Sequence, residues 1–178
     1  MFKRCTLLFL TALIALSASP GCAQTEPPAN DEEARATIRT MYEGYRKQFP
    51  GIKETAPADI AEAFKNDSTQ FVIVDVRTEK EREVSMIPGA LTQKEFESNR
   101  DEFEDKRVIV HCTIGFRSGM YVKKLKDDGF EAENMIGSLL LWTHEGLPLE
   151  DQDEQSTKKV HVFGKQWNLV AEGYEGVW

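Results

Sequence analysis

The sequence is poor in cysteine and histidine and has no excess of positive charge. It contains three cysteines and three histidines in 178 residues, and its 22 basic residues against 30 acidic ones leave a formal net charge of -8. A nucleic-acid-binding role is not expected for so acidic a chain. His111, His144 and His161 lie far apart without the short ligand spacings of a zinc site, so no metal is expected.

Beyond the N-terminus the sequence has no long apolar run. Residues 5–18 are largely apolar and follow Lys3 and Arg4, an order that is typical of an export signal. The run is too short to span a bilayer comfortably. We therefore expect residues 1–22 to be an export signal and the protein to lie in the periplasm or cell envelope of a bacterium.

The end of this signal resembles the cleavage site of a bacterial lipoprotein. In such sites a small residue precedes a cysteine that receives lipid, and here Gly21 precedes Cys22. A lipid on Cys22 would be the expected attachment to a membrane. Ser19 stands where the pattern prefers an aliphatic residue, so cleavage after Ala18 or Ala23, giving a soluble exported protein, is the alternative.

One cysteine is left for the folded body once the signal is removed. Cys5 belongs to the signal, and Cys22 either carries lipid or lies on a flexible stalk, which leaves Cys112. A stabilising disulfide needs two thiols. Cys112 is therefore either a buried packing residue or a reactive group.

The chain is long enough for one well-buried core with extensions on both sides. The expected segments are the export signal at 1–22, a tether with an N-terminal helix at 23–56, the main domain at 57–150 and a C-terminal extension at 151–178. Asp31 is the expected N-cap of the N-terminal helix. In the C-terminal extension, apolar residues 160–163 and 166–170 flank a Gly-Lys pair, which predicts a β-hairpin.

The main domain alternates strands with helices. Residues 71–75 and 108–110 are continuous apolar runs, as expected of strands buried on both faces of a parallel sheet. Between them, Thr92 and Glu95 have the spacing of a capping box, and a further helix is expected at 118–128. The alternation predicts an α/β fold with an open parallel sheet flanked by helices.

Cys112 directly follows the second of these strands and precedes a helix. Open parallel sheets bind their ligands at such strand ends, where the N–H groups of a tight loop and a helix N-terminus favour negative charge. Gly115 permits the turn, and Arg117 adds a permanent cation. We therefore expect a lowered pKa for Cys112, the candidate catalytic nucleophile, and a catalytic role for Arg117 in stabilising anions.

The rest of this loop is expected to contact the substrate. The residues concerned are Thr113, Ile114, Gly115, Phe116 and Ser118. Asp75 is expected to support the loop, pairing with Arg77 or Arg117. The alternative is purely structural, with Cys112 as a core residue at a strand end and Gly115 as an ordinary turn residue.

Several motifs, in their order and spacing, resemble rhodanese-like domains over about residues 57–149. They are Val-Asp-Val-Arg at 74–77, Ile-Pro-Gly-Ala at 87–90, the loop at 112–117, and residues 137–142 followed by Gly-Leu-Pro at 146–148. The resemblance implies a sulfurtransferase: Cys112 takes a sulfane sulfur from a small donor such as thiosulfate or a persulfide and passes it to cyanide or a thiol, which can belong to a protein. This chemistry requires no metal and no organic cofactor.

The details of the loop narrow the expected chemistry. Phosphatases that share the fold have five residues between the cysteine and the arginine, whereas residues 113–116 are four, so a phosphate should fit poorly. Thr113 stands where the family often has a basic or polar residue, and Met86 where it often has histidine, which weakens the case for thiosulfate as the donor. Ile114 and Phe116 give the loop an apolar rim, which favours a larger or thiol-bearing partner.

Two other functions are compatible with the same motifs. One is a non-catalytic rhodanese-like module that presents a sulfur or anion site to a partner protein. The other is a redox or sulfide-detoxifying thiol protein of the cell envelope, in which Cys112 cycles through a persulfide with an external reductant. The intact cysteine and arginine favour the enzyme.

Overall fold

The computed structural model of the protein describes residues 28–66 and 70–178, so the predicted export signal and Cys22 lie outside the described residues. The helices are α1 (Asp31–Arg46), α2 (Pro57–Asn66), α3 (Glu79–Val84), α4 (Gln93–Ser98), α5 (Phe116–Asp127) and α6 (Ser138–His144). The strands are β1 (Lys53–Thr55), β2 (Phe71–Asp75), β3 (Leu91–Thr92), β4 (Arg107–His111), β5 (Ala132–Met135), β6 (Lys159–His161) and β7 (Glu175–Val177). None of the helices in the two described ranges is both long enough and apolar enough to cross a bilayer.

Five parallel strands form the main sheet, in the order β1-β5-β4-β2-β3. The central strands β2 and β4 are paired from Phe71 with Arg107 to Asp75 with His111. Every residue of β2 is buried, as are the last four residues of β4, because helices cover both faces of the sheet. The predicted open parallel sheet flanked by helices is confirmed.

The sheet separates two apolar layers. On one side Leu140 of α6 shares a buried cluster with Ile38 of α1 and Ile60 of α2. On the other side Phe96 of α4 shares a cluster with Leu125 of α5. Because the strands are parallel, their carboxyl ends open at one edge, and the loop that contains Cys112 lies there.

The N-terminal helix packs on the main domain and buries Tyr42. Its cap is Asn30, whose side-chain oxygen accepts a hydrogen bond from the Glu33 N–H at 3.0 Å, and not Asp31 as expected. Asp31 instead accepts a hydrogen bond from the N–H of Glu172 at 2.8 Å. The helix is thereby joined to the C-terminal extension.

The C-terminal extension is not the predicted β-hairpin. Strand β6 pairs in parallel with β7, and a turn of 3-10 helix at Lys165–Trp167 lies between them. The expected second strand is bonded elsewhere: the Leu169 carbonyl lies 2.9 Å from Nε2 of His144, and the Ala171 N–H donates to Oγ1 of Thr143 at 3.1 Å. Side chains of α6 therefore hold the extension against the main domain and prevent it from returning along β6.

Two glycine-to-alanine substitutions should have opposite effects on stability. A Cβ at Gly119 of α5 would lie 2.6 Å from the Phe49 ring, whereas a Cβ at Gly44 of α1 would meet nothing within 4 Å. Gly44→Ala should raise the free energy of unfolding by about 0.5–1 kcal/mol, because alanine is the better helix former. Gly119→Ala should lower it by about 1–3 kcal/mol through overpacking. Urea denaturation measures both, and equal effects would contradict the packing of Phe49 on α5.

Candidate active site

A loop at residues 112–115 connects β4 to α5 at the carboxyl edge of the sheet. The first turn of α6 is bonded to it: the Leu139 N–H donates to the Cys112 carbonyl at 3.3 Å, and the Leu140 N–H donates to the Thr113 carbonyl at 3.1 Å. The Cys112 N–H in turn donates to the Ser138 hydroxyl at 3.2 Å. Helix N–H groups that lack partners within their own helix thus hold the loop in position.

Gly115 allows the loop to turn back toward the sulfur. Its φ of 111° lies in the left-handed region, and a Cβ there would lie 2.5 Å from the Tyr42 ring, so both conformation and space require glycine. The Gly115 carbonyl accepts a hydrogen bond from the Asn134 side chain at 2.9 Å. The Gly115 N–H donates to the Sγ of Cys112 at 3.1 Å. The loop therefore presents a backbone donor to the sulfur.

The sulfur of Cys112 is buried but surrounded by donors. The residue is 2% exposed, and burial by itself raises the pKa of the thiol. Hydrogen bonds from the Ser118 hydroxyl, 3.5 Å from Sγ, and from the backbone N–H groups of Ser118 and Gly115 lower this pKa, as does the charge of Arg117. Together the hydrogen bonds and the charge of Arg117 outweigh the effect of burial, so the pKa of Cys112 lies below the ordinary value of a cysteine.

Arg117 is held by Glu81, a carboxylate that the sequence analysis did not single out. The guanidinium donates to both carboxylate oxygens of Glu81 at 2.7 Å and to the Thr113 hydroxyl at 3.1 Å. Burial raises the pKa of Glu81, but hydrogen bonds from Arg117 and Thr78 outweigh it and lower the pKa to about 2. The bidentate ion pair orients the guanidinium beside the loop and offsets part of its charge.

The sequence indicates only some of the contacts that Glu81 makes. Thr78 and Glu81 have the spacing of a capping box at the start of α3, and the Thr78 N–H donates to Glu81 at 3.0 Å. This local pattern explains one contact of the carboxylate. The pairing with Arg117 joins residues 36 positions apart and follows only from the fold.

Asp75 and Arg77 form a second ion pair, in which both side chains are fully buried and the guanidinium donates to Asp75 at 2.7 Å. Of its two expected partners, Asp75 pairs with Arg77. Arg117 pairs with Glu81 instead. His111 is buried beside them, with Nε2 3.6 Å from Asp75, and burial lowers the pKa of this histidine, so the ring is neutral. Within residues 28–66 and 70–178, no three His, Cys, Asp or Glu side chains are arranged to hold a metal ion.

A cavity of about 260 Å³ opens over the sulfur. From the predicted site it is lined by Cys112, Thr113, Ile114, Phe116 and Arg117. Its other lining residues come from segments outside the main domain, namely Tyr45 of α1 and Phe163 and Trp167 of the C-terminal extension. Gly115 and Ser118, the other two predicted loop residues, bond to the sulfur rather than lining the cavity. The sequence does not predict that the extension reaches the site.

The contacts of the sulfur predict that Cys112 stays ionised at lower pH than an ordinary thiol. Its alkylation by iodoacetamide should keep its rate as the pH falls through the ordinary cysteine value and decline only below it. Ser118→Ala removes a donor to the thiolate and should move the inflection of the rate-against-pH curve to higher pH. Ser98 is exposed on α4, so Ser98→Ala should leave the inflection where it is. Mass spectrometry of the Cys112 peptide measures the rate, and an inflection at the ordinary cysteine value in the protein without substitutions would contradict the lowered pKa of Cys112.

Several known proteins are similar in sequence to this chain. A family model described as the Rhodanese-like domain matches residues 56–145. A protein of Allochromatium vinosum named Sulfurtransferase is 29% identical over 93 residues, which cover 47% of this chain and 81% of that protein. The tRNA uridine(34) hydroxylase of Shouchella clausii is 32% identical over 124 residues, which cover 64% of this chain, but the chain spans only 37% of that protein's length.

A solved structure supports the fold independently. It is that of a Rhodopseudomonas palustris protein of unknown function, described as a possible tyrosine phosphatase, which aligns with a TM-score of 0.51 and 25% identity over 64% of this chain and 93% of that chain. The family model goes beyond the fold, because its match covers half of the chain and includes the whole loop around Cys112. The chain therefore belongs to the rhodanese-like domain family.

Proposed function

We propose that this protein is a sulfurtransferase that carries a sulfane sulfur as a persulfide on Cys112. The observation that supports this most directly is the position of the sulfur, at a cavity, with the Gly115 N–H at 3.1 Å and the Ser118 hydroxyl at 3.5 Å. These donors stabilise the thiolate, which is the nucleophilic form of cysteine.

In the first half-reaction the Cys112 thiolate attacks the outer sulfur of the donor. With thiosulfate, a bond forms between Sγ and the outer sulfur, the bond between the two thiosulfate sulfurs breaks, and sulfite leaves with the electron pair. Three negative charges enter the step and three remain, one on the persulfide and two on sulfite. Arg117 lines the cavity and is placed to stabilise the anion that leaves.

The second half-reaction needs a nucleophile from outside. In the part of the chain that the structure describes, Cys112 is the only cysteine, so no second thiol is available to receive the sulfur. Cyanide attacks the outer sulfur and leaves as thiocyanate, or a thiolate attacks it and leaves as a persulfide. Either reaction returns Cys112 to the thiolate, and the thiol can be a small molecule or part of a protein.

The surroundings of Arg117 favour sulfur transfer over phosphoryl transfer. A phosphate bound at such a loop would use the guanidinium as a bidentate fork. Here both terminal nitrogens of Arg117 already donate to Glu81 at 2.7 Å. The short spacing of four residues between Cys112 and Arg117 points in the same direction.

A non-catalytic rhodanese-like module that binds a sulfur species or a partner protein is the competing function. Such a module needs the fold and the cavity but has no use for an ionised thiol. The lowered pKa of Cys112 therefore favours the enzyme.

We further propose that the protein is exported and attached to a bacterial membrane by lipid on Cys22. The support is the order of Lys3 and Arg4, the apolar run at 5–18 and the Gly-Cys pair that follows it. Mass spectrometry of the membrane fraction should find an N-terminal peptide that begins with lipidated Cys22. A mature chain without lipid that begins at residue 19 or 24 would refute the attachment.

Incubation with thiosulfate should increase the mass of the protein by one sulfur atom, because Cys112 retains the transferred sulfur. Cyanide should then remove the added mass and release thiocyanate. The Cys112→Ser variant should neither gain the mass of a sulfur atom nor release thiocyanate, since a serine hydroxyl is not ionised at neutral pH. Intact-mass spectrometry follows both steps. A protein that takes up no sulfur, or a variant that still takes it up, would exclude the proposed cycle and leave the binding module.

Arg117→Ala should lower kcat/KM for thiosulfate by about 10²–10³-fold, the usual effect of removing a group that stabilises anionic charge. It should also destabilise the protein, because the buried Glu81 loses its cation. Adding Glu81→Gln should restore stability but not activity. Lys123→Ala, which breaks an exposed pair with Asp127, is the control and should change neither by much.

Thiocyanate formation and thermal unfolding are measured on each of these variants. Full activity in the variant that combines Arg117→Ala with Glu81→Gln would remove Arg117 from the reaction.

A further inference from the structure

The geometry points to a sulfur donor with an apolar, aromatic leaving group, an inference that rests on the proposed sulfurtransferase function. The side chains that carry it are the aromatic residues lining the cavity over Cys112, which we call the aromatic vestibule. They are Tyr45, Phe116, Phe163 and Trp167. The family model covers only one of the four, since it matches residues 56–145.

The vestibule consists of two pairs of rings. Tyr45 and Phe116 meet edge to face, with ring centroids 5.4 Å apart. Phe163 and Trp167 also meet edge to face, with centroids 6.2 Å apart and an interplanar angle of 73°. Phe163 remains 53% exposed, so an aromatic group bound over Cys112 would remove apolar surface from water and gain contacts with several rings.

The charges around the cavity suit a dianion poorly. Among its lining residues, all of them within the described ranges, Arg117 is the only one with a positive charge, and its terminal nitrogens donate to Glu81. The guanidinium also lies over the Phe163 ring, 5.1 Å from its centroid. On binding, thiosulfate would lose the hydration of its two negative charges. In return it would meet one cation, Arg117, whose charge Glu81 partly neutralises. A donor with an apolar body and a single charge has less hydration to lose.

The size of the cavity favours a larger donor as well. Its volume is about 260 Å³, many times the space of about 10–15 Å³ that a single water needs. A small ion such as thiosulfate would leave much of it filled with water against apolar walls. A phenyl group would displace that water, which is favourable where the walls offer it few hydrogen bonds.

The part of the vestibule that comes from the extension is held at both ends. On one side the Val162 N–H donates to the Val177 carbonyl at 2.7 Å. On the other the Leu169 carbonyl lies 2.9 Å from Nε2 of His144, and both Val162 and Leu169 are buried. The segment between them is therefore a positioned surface and not a free tail, which is what a binding site requires.

Organic sulfane-sulfur compounds supply such a leaving group by the same reaction. With a thiosulfonate, R–SO₂–S⁻, the Cys112 thiolate attacks the outer sulfur, the bond between the two sulfurs breaks, and the sulfinate R–SO₂⁻ leaves with the electron pair. Two single negative charges enter the step, and two remain, on the persulfide and the sulfinate. An organic persulfide, R–S–SH, reacts likewise: its outer sulfur keeps the proton and R–S⁻ leaves. In both cases R occupies the aromatic vestibule, and no oxidant or reductant is needed.

The test compares thiosulfate, methanethiosulfonate and benzenethiosulfonate, which all break a bond between two sulfurs. Thiocyanate formation by the full-length protein with cyanide gives kcat/KM for each donor. Each value is divided by the rate of the same donor with free cysteine, which removes differences in intrinsic reactivity. The corrected value for benzenethiosulfonate should exceed that for methanethiosulfonate by about tenfold, the scale of a few favourable ring contacts.

Substitutions in the vestibule should remove this preference. Phe163→Ala and Trp167→Ala should each raise KM for benzenethiosulfonate several-fold more than KM for methanethiosulfonate, because only the phenyl group loses a ring contact. Trp178→Ala is the matched control, because Trp178 is an aromatic residue of the same extension that is 61% exposed and does not line the cavity. The Trp178→Ala variant should keep the preference for benzenethiosulfonate over methanethiosulfonate.

A corrected preference near one, or a preference that survives both substitutions, would overturn the inference and leave the sulfurtransferase function standing. If no donor places sulfur on Cys112, the proposed function itself fails. Because Phe163 is more than half exposed, its replacement should be tolerated, and urea denaturation of each variant verifies the fold.

Discussion

The hydrogen bonds from the first turn of α6 to the carbonyls of Cys112 and Thr113 decide which way the loop at residues 112–115 faces. With these carbonyls engaged by the helix, the loop can turn the Gly115 N–H toward the sulfur. Ser138, the first residue of α6, has a φ of 47°, a conformation that is held because its hydroxyl accepts the Cys112 N–H and donates to the Met135 carbonyl.

Two carboxylate–guanidinium pairs lie around this loop, and their exposure separates their roles. Asp75 and Arg77 are fully buried, so they organise the strand end and are closed to a substrate. Arg117, whose side chain is 27% exposed, pairs with the buried Glu81 and still lines the cavity. A buried ion pair adds more to geometry than to stability, because the desolvation of both charges offsets much of their attraction. In this protein that geometry leaves the Arg117 guanidinium at the cavity and keeps the Arg77 guanidinium away from solvent.

The two extensions complete a site that the family domain contains only in part. The helix α1 packs Tyr42 against Gly115, which supports the turn of the loop, and contributes Tyr45 to the cavity. The C-terminal extension contributes Phe163 and Trp167 from a segment anchored on α6. Cys112 thus lies in the segment that the family shares, while most of the aromatic wall lies outside it. Such a division allows the same covalent chemistry to be directed to a different donor by changing the extensions alone.

The α/β fold and the place of the nucleophile could be predicted from the sequence because they depend on local signals. The capping box at Thr92, the continuous apolar strands and the position of Cys112 between a strand and a helix each involve residues close in the chain. The C-terminal hairpin was predicted from equally local signals and is wrong, because side chains of α6 take the hydrogen bonds that a hairpin would need. By itself, then, the sequence determined the parallel sheet and the position of Cys112 at its edge. Only the tertiary structure decided that Glu81 holds Arg117 and that Phe163 lines the cavity beside Cys112, because both arrangements join residues that lie far apart in the chain and that no local pattern connects.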